Sequence, residues 1–214
     1  MPTKSIGESL ADKGKKQYFC ARKNGTSVLP QNSIIMSKTN EQFDAVVASC
    51  REVFANKLQD YGASWRIFRP SSLTDQLFTK TKRIRTLEIT KESKVGEGIL
   101  PELMALVNYG IIGMIQLEKG FVDKVDMSAC EALALYDEKM AATRRLMLAK
   151  NHDYGEAWRD MRVTSYTDFI LTKLNRIKEI EDNEGQTQVS EGIDSNYQDI
   201  VNYAIFGLIR YLFK

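Results

Sequence analysis

The stretch KLQDYGASWRIFRPSSLTDQLFTKTKRI, residues 57–84, returns without a gap as KNHDYGEAWRDMRVTSYTDFILTKLNRI, residues 150–177. Fourteen of the 28 positions are identical at an offset of 93, where unrelated stretches of ordinary composition share about one or two. Self-similarity at a fixed period marks an internal duplication. Upstream, Asp44 and Arg51 recur as Asp137 and Arg144. Downstream, one inserted residue moves the offset to 94, and Glu97, Gly98, Asn108, Tyr109 and Gly113 recur as Glu191, Gly192, Asn202, Tyr203 and Gly207. The first copy is placed at 36–120 and the second at 127–214.

Each copy reads as three helices. In the first, over about 40–60 and 127–152, apolar residues such as Phe43, Val46, Cys50 and Phe54 fall three or four apart. Gly62 and Gly155 follow Asp60-Tyr61 and Asp153-Tyr154, where a left-handed cap is expected. Ser72 and Ser165, each followed three residues later by an Asp, read as capping boxes opening the second helix. Polar loops at 91–98 and 183–192 precede a strongly apolar third helix. With four prolines and no run of period two, the fold class is all-α: a helical bundle made of two tandem three-helix repeats in one globular unit. Residues 1–35 have no counterpart and read as a mobile N-terminal extension, with a weak strand at 33–36.

The chain has 214 residues and a formal net charge of +2. Residues 1–35 hold six basic and two acidic side chains, so the body is slightly acidic, which excludes a strongly basic nucleic-acid binder there. Three dispersed cysteines without a C-x-x-C pair argue against a disulfide scaffold or zinc site and for a reducing compartment. No stretch reaches the roughly 18–20 apolar residues of a membrane span, and the N-terminus lacks a signal-peptide core. A cytoplasmic protein with no membrane partner is expected, and homo-oligomerisation is left open. The spacing from Gly7 to Gly14-Lys15 excludes a P-loop, and a single His excludes a multi-His metal site.

The duplicated motif keeps Lys80 and Arg83, and Lys173 and Arg176, three apart on one helix face. With Arg66 or Arg159 they could bracket a phosphate, Arg supplying forked donors and Lys a compact charge; a solvated, salt-bridged face is the alternative. Trp65 and Trp158 read as packing residues at a corner, with base stacking as the functional alternative. Asp153 ends a helix, where a carboxylate opposes the helix dipole and calls for a cation or metal. Asp199 and Asn202 share a face of an otherwise apolar helix; burying them demands partners, either interhelical hydrogen bonds or a hard cation. Glu191 stands near that helix's start. The first copy has Ala105 at the Asp199 position and Glu102 at the Asn196 position. Residues 66–94 carry eight basic and three acidic side chains, against five and six in 159–188. A division of labour is therefore expected, the first copy supplying cations and the second acidic, metal-capable groups to one composite site.

The phrases DYGASWRIFRPSSLTDQLFTKTKRIR and KNHDYGEAW…NYAIFGL resemble the nucleotide-modification-associated domain 1 family of bacteria and phages, here as a tandem pair. The resemblance implies a link to nucleotide metabolism or base modification. More distantly, the Asp-x-x-Asn-Tyr helix is similar to the metal-binding helix of MazG-like all-α nucleoside triphosphate pyrophosphohydrolases, which hold magnesium with E-x-x-E on one helix and E-x-x-D on another. Asn196-x-x-Asp199 and Glu102-x-x-Ala105 each match half of the second pattern, and neither first helix carries E-x-x-E.

The expectation is a protein binding a phosphate-bearing nucleotide, and hydrolysing it if magnesium is held. Asp153 and Asp199 are its candidate catalytic residues; Arg66, Lys80, Arg83, Arg159, Lys173 and Arg176 hold phosphate; Trp65 and Trp158 stack a base; Glu191, Asp199 and Asn202 hold Mg2+. The rival expectations are a non-catalytic structural or interaction module and a nucleic-acid-modification accessory protein.

Overall fold

The computed structural model describes residues 38–187 and 191–213, and the expectations for residues 1–35 lie outside them. Six helices form a bundle: α1 (Lys38–Tyr61), α2 (Pro70–Thr90), α3 (Ile99–Lys119), α4 (Ala129–Tyr154), α5 (Val163–Asp182) and α6 (Ile193–Leu212). Short 3-10 turns, Ser64–Ile67 and Ala157–Asp160, follow α1 and α4. Helix, turn, helix, helix thus occurs twice in the same order.

The most apolar segments take the centre. α3 and α6 share the most extensive interface, with α2 and α5 packed beside them. Glycine lets the central pair approach closely: a Cβ on Gly113 would lie 2.7 Å from the Tyr197 ring, and one on Gly207 3.3 Å from Leu103 Cδ1. α3 has the length and apolarity to cross a membrane, contrary to the expectation that no segment does, but 67% of its apolar window is buried within the bundle. It is a core helix here.

Contacts between the halves are returned at the repeat offset. Arg51 donates to Asp137 at 2.6 and 2.9 Å, and Arg144 donates to Asp44 at 3.0 Å. Between α2 and α5, Thr74 Oγ1 donates to Glu181 at 2.8 Å and Thr167 Oγ1 to Glu88 at 2.9 Å. Lys178 meets Asp75 at 2.8 Å and Arg85 meets Asp168 at 3.7 Å. Burial pushes the Glu88 and Glu181 carboxyls above the usual range, against the opposing pull of the threonine bonds.

Helix boundaries differ from expectation where local chemistry was misread. α2 and α5 begin before Ser72 and Ser165, at Pro70 and Val163, with Arg69 and Arg162 as N-caps and no side-chain cap bond. Proline, with φ already suited to a first turn, starts α2 earlier than the serine could. The side-chain cap lies instead at Ser128, whose Oγ accepts from Glu131 N at 3.2 Å. Gly155 takes the expected left-handed cap at φ 58°. Cys50 is a buried free thiol, its pKa pushed up to about 12 by burial.

Candidate functional site

The third helix of the second half carries its acid into the bundle. The Asp199 side chain is 7% exposed, with Lys150 Nζ at 2.5 Å from Oδ1 and Lys173 Nζ at 2.6 Å from Oδ2. Lys150 comes from the last turns of α4 and Lys173 from the middle of α5, so three helices converge on one carboxylate. Burial alone would lower the Lys150 pKa; the bond and charge of Asp199 outweigh it and hold the ammonium above its ordinary value.

These residues line a cavity of about 570 Å³. Met147, Met161, Trp158 and Phe206 supply apolar wall, Tyr154 and Tyr203 supply rings with polar ends, and Arg176 and Glu191 are exposed charges of the lining. Arg176 forms no ion pair among the described residues. Asn202, 5% exposed, donates from Nδ2 to the Thr143 carbonyl at 3.4 Å, while its Oδ1 has no partner. Its counterpart Asn108 is satisfied at both ends, by the Cys50 carbonyl at 3.0 Å and the Tyr136 hydroxyl at 2.9 Å.

A matching cavity of about 420 Å³ lies in the first half, lined at corresponding positions by Lys57, Tyr61, Trp65, Asn108 and Tyr109. Here Ala105 replaces Asp199, and the acid stands one turn earlier on α3. Glu102 is 7% exposed on its side chain and accepts from Lys80 at 3.2 Å and, more closely, from Arg83, which also meets Glu97 at 3.2 Å. Each half therefore pairs its own cations with its own acid. The composite site shared between copies is corrected: Arg83 and Asp199 belong to separate clusters. A one-turn shift keeps an acid on the same helix face, so the cation pair finds a partner in either register.

Other nominated residues have structural partners. Arg66, 2% exposed, donates to Asp126 at 2.9 and 3.3 Å, to the Gly120 carbonyl at 2.5 Å and closely to Gln116, fixing the segment after α3. Arg66 also pulls the Asp126 carboxyl below its ordinary range. Arg159 joins Glu156 at 2.8 Å, Gln42 at 2.8 Å and Thr39, tying its turn to the start of α1. Neither guanidinium lines either cavity. Trp158 stacks on Phe206 with centroids 4.3 Å apart and carries the Arg159 guanidinium over its ring at 4.3 Å, so a base would have to displace one of them. Trp65 packs near Phe54 at 6.5 Å. Asp153 is 72% exposed beside His152 at 3.1 Å and does not line the cavity. The structure thus gathers Lys173, Arg176, Glu191, Asp199, Asn202 and Trp158, and leaves Asp153, Arg66 and Arg159 apart.

Comparison with known families matches residues 57–117 and 150–211, more than half of the chain, to nucleotide modification associated domain 1. The chain belongs to that family. The two matched stretches of nucleotide modification associated domain 1 supply most of the lining of the two cavities, with Glu102 and Asp199 both inside them. No curated protein and no solved structure matches the chain.

Lys150, Tyr154 and Tyr203 went unnominated in the sequence. The signal was present, since each recurs in the first half as Lys57, Tyr61 and Tyr109, but a lysine near a helix end reads as solvated until its acid is known.

Proposed function

We propose that the cavity between α4, α5 and α6 binds a phosphate-bearing nucleotide. The supporting observation is the convergence of Lys150, Lys173 and Arg176 on one cavity that also presents tyrosine rings. Three cations face two acids in the lining, and Arg176 has no ion-pair partner among the described residues, so an incoming anion gains a charge-assisted contact. Asp199 already occupies the space between two ammonium groups as an internal anion; a phosphate group takes over one or both lysines. The base lies against Tyr154 and Tyr203; Tyr203 is tilted against Phe169 with centroids 5.3 Å apart, a looser contact than the 4.3 Å stack that engages Trp158. The family's description, tied to nucleotide modification, points the same way.

The donor set does not suit a resident magnesium ion. Both Asp199 oxygens accept from ammonium groups, leaving the Asn202 amide oxygen and the exposed Glu191. Magnesium usually keeps several waters and binds through one or two carboxylates plus substrate phosphates, and here the one buried carboxylate of the cavity is already engaged by two lysines. No hydrolytic step is assigned to Asp153 or Asp199; a magnesium ion would arrive on the nucleotide's own phosphates.

The reciprocal Arg–Asp and Thr–Glu pairs support a tandem three-helix repeat with an approximate two-fold relation. A structural role is favoured for one part of the repeat: the Lys80 and Arg83 cluster, closed on Glu102 and Glu97, holds α2 to α3.

Thermal shift and pyrophosphate release with a panel of nucleotides, with and without magnesium, test the proposal together. Stabilisation by phosphorylated nucleotides but not by the parent sugar supports it, and turnover would add hydrolysis. No stabilisation by any phosphorylated nucleotide would remove it.

A further inference from the structure

The cations of the α4–α6 cavity are spaced for one phosphoryl group. Lys150 and Lys173 hold different oxygens of Asp199, at 2.5 and 2.6 Å, so the two ammonium groups stand apart by the width of a single two-oxygen anion. A phosphoryl group presents two oxygens at nearly that separation and a third beyond them. Arg176 lines the same cavity, is exposed and forms no ion pair among the described residues, so its forked donors are open to the third oxygen. Charge sets the same limit. Lys150, Lys173 and Arg176 stand against Glu191 and Asp199, three cations to two acids, which leaves one net positive charge in the lining. A phosphomonoester carries about 1.5–2 negative charges near neutral pH. One such group balances the lining, and each further phosphoryl group adds charge that the lining does not neutralise.

A second observation bears on what lies beyond that group. Arg176 also lines a neighbouring cavity of about 710 Å³ at the end of α5, with Glu179, Asp182 and Glu184, all exposed. Arg176 is the one cation among the described residues of that lining. A longer phosphate chain running past Arg176 on this side enters the field of three carboxylates. Turned the other way, it meets Met147, Met161 and Phe206, where a charge finds no solvation.

We propose that the α4–α6 cavity selects nucleoside monophosphates over di- and triphosphates, with Glu179, Asp182 and Glu184 rejecting the longer phosphate chains. The inference rests on reading this cavity as a nucleotide site, and it names the class of nucleotide. A monophosphate has no phosphoanhydride bond, so the site holds its ligand without splitting a phosphate chain.

The test is calorimetric titration of the full chain with the 5′-mono-, di- and triphosphates of adenosine, guanosine, cytidine and thymidine, at one ionic strength, with and without magnesium. At least one monophosphate is expected to bind, and to bind at least tenfold more tightly than its own triphosphate in both conditions. Neutralising the three exposed acids together, as Glu179→Gln, Asp182→Asn and Glu184→Gln, should shrink that ratio at least threefold by improving triphosphate binding. A triphosphate that binds as tightly as its monophosphate, alone or with magnesium, overturns the inference and leaves the nucleotide site standing. Pyrophosphate released from a triphosphate by the protein does the same. A ratio unmoved in the folded triple variant overturns the role given to the acids, and the wild-type ratio stands as the test if that variant does not fold. If no phosphorylated nucleotide binds, the reading of the cavity as a nucleotide site fails and takes this inference with it.

Discussion

Replacing Asp199 by Asn pulls stability and ligand affinity in opposite directions. The carboxylate is 7% exposed and sits between Lys173, 16% exposed, and Lys150, 44% exposed. Removing one partner of a buried ion pair costs about 3–5 kcal/mol, because the other charge stays buried. Lys150 reaches solvent and sheds much of its share there, so the expected loss is about 2–3 kcal/mol. For a domain of this size that lowers Tm by roughly 4–12 °C. The same change frees two ammonium groups from their internal competitor. A charge-assisted hydrogen bond contributes about 1.5–3 kcal/mol, so regaining one for phosphate corresponds to roughly a 10- to 100-fold rise in affinity. Urea melts give the first quantity, and calorimetric titration with a nucleoside monophosphate or inorganic phosphate gives the second. If stability and phosphate affinity fell together, Asp199 would be a ligand-holding residue and the displacement account would be wrong.

Two further changes test the fold. Gly113→Ala places a Cβ 2.7 Å from the Tyr197 ring, and the clash outweighs the ~1 kcal/mol of helix propensity gained; a net loss of about 1–3 kcal/mol is expected in denaturant melts. Gly207→Ala, whose Cβ would meet Leu103 at 3.3 Å, should stay within about 1 kcal/mol of wild type, since a leucine end can give way. Glu88→Gln tests the buried carboxyl between α2 and α5, whose pKa burial raises. A raised carboxyl pKa means the folded state holds the proton more tightly, so its stability contribution is present at low pH and is lost as pH rises through the folded pKa. The amide avoids that loss and keeps an acceptor for Thr167; its Tm advantage over wild type should be greater at pH 8 than at pH 4, and a pH-independent difference would contradict the assignment.

The helical architecture was legible because the duplication repeats its punctuation as well as its apolar positions. Gly62 and Gly155 mark the ends of α1 and α4 within a residue, and the polar loops fall between the helices they were expected to separate. The 3-10 turns were not legible, being single turns with no period of their own. Asp199, Lys173, Arg176 and Asn202 were legible as a candidate set because polar groups on an apolar helix demand partners. Which cation meets which acid was not, because Glu102 and Asp199 occupy aligned faces one turn apart and each finds its lysine within its own half. Charge totals for 66–94 and 159–188 suggested exchange between the halves, but totals carry no information about direction. Arg66 and Arg159 follow the motif as faithfully as the cavity residues do, yet their partners are Asp126 and the first turn of α1. Recurrence marks a constrained residue without distinguishing a binding role from a bracing one.

The most direct test is calorimetric titration of a stabilising phosphorylated nucleotide into wild type and Arg176→Ala. Arg176 is exposed and has no ion-pair partner among the described residues, so its truncation should leave stability within about 0.5 kcal/mol. Nucleotide affinity should fall by roughly 10- to 100-fold, the loss of one charge-assisted contact, while affinity for the parent nucleoside stays unchanged. Equal nucleotide affinity in the two proteins would contradict phosphate recognition in the α4–α6 cavity.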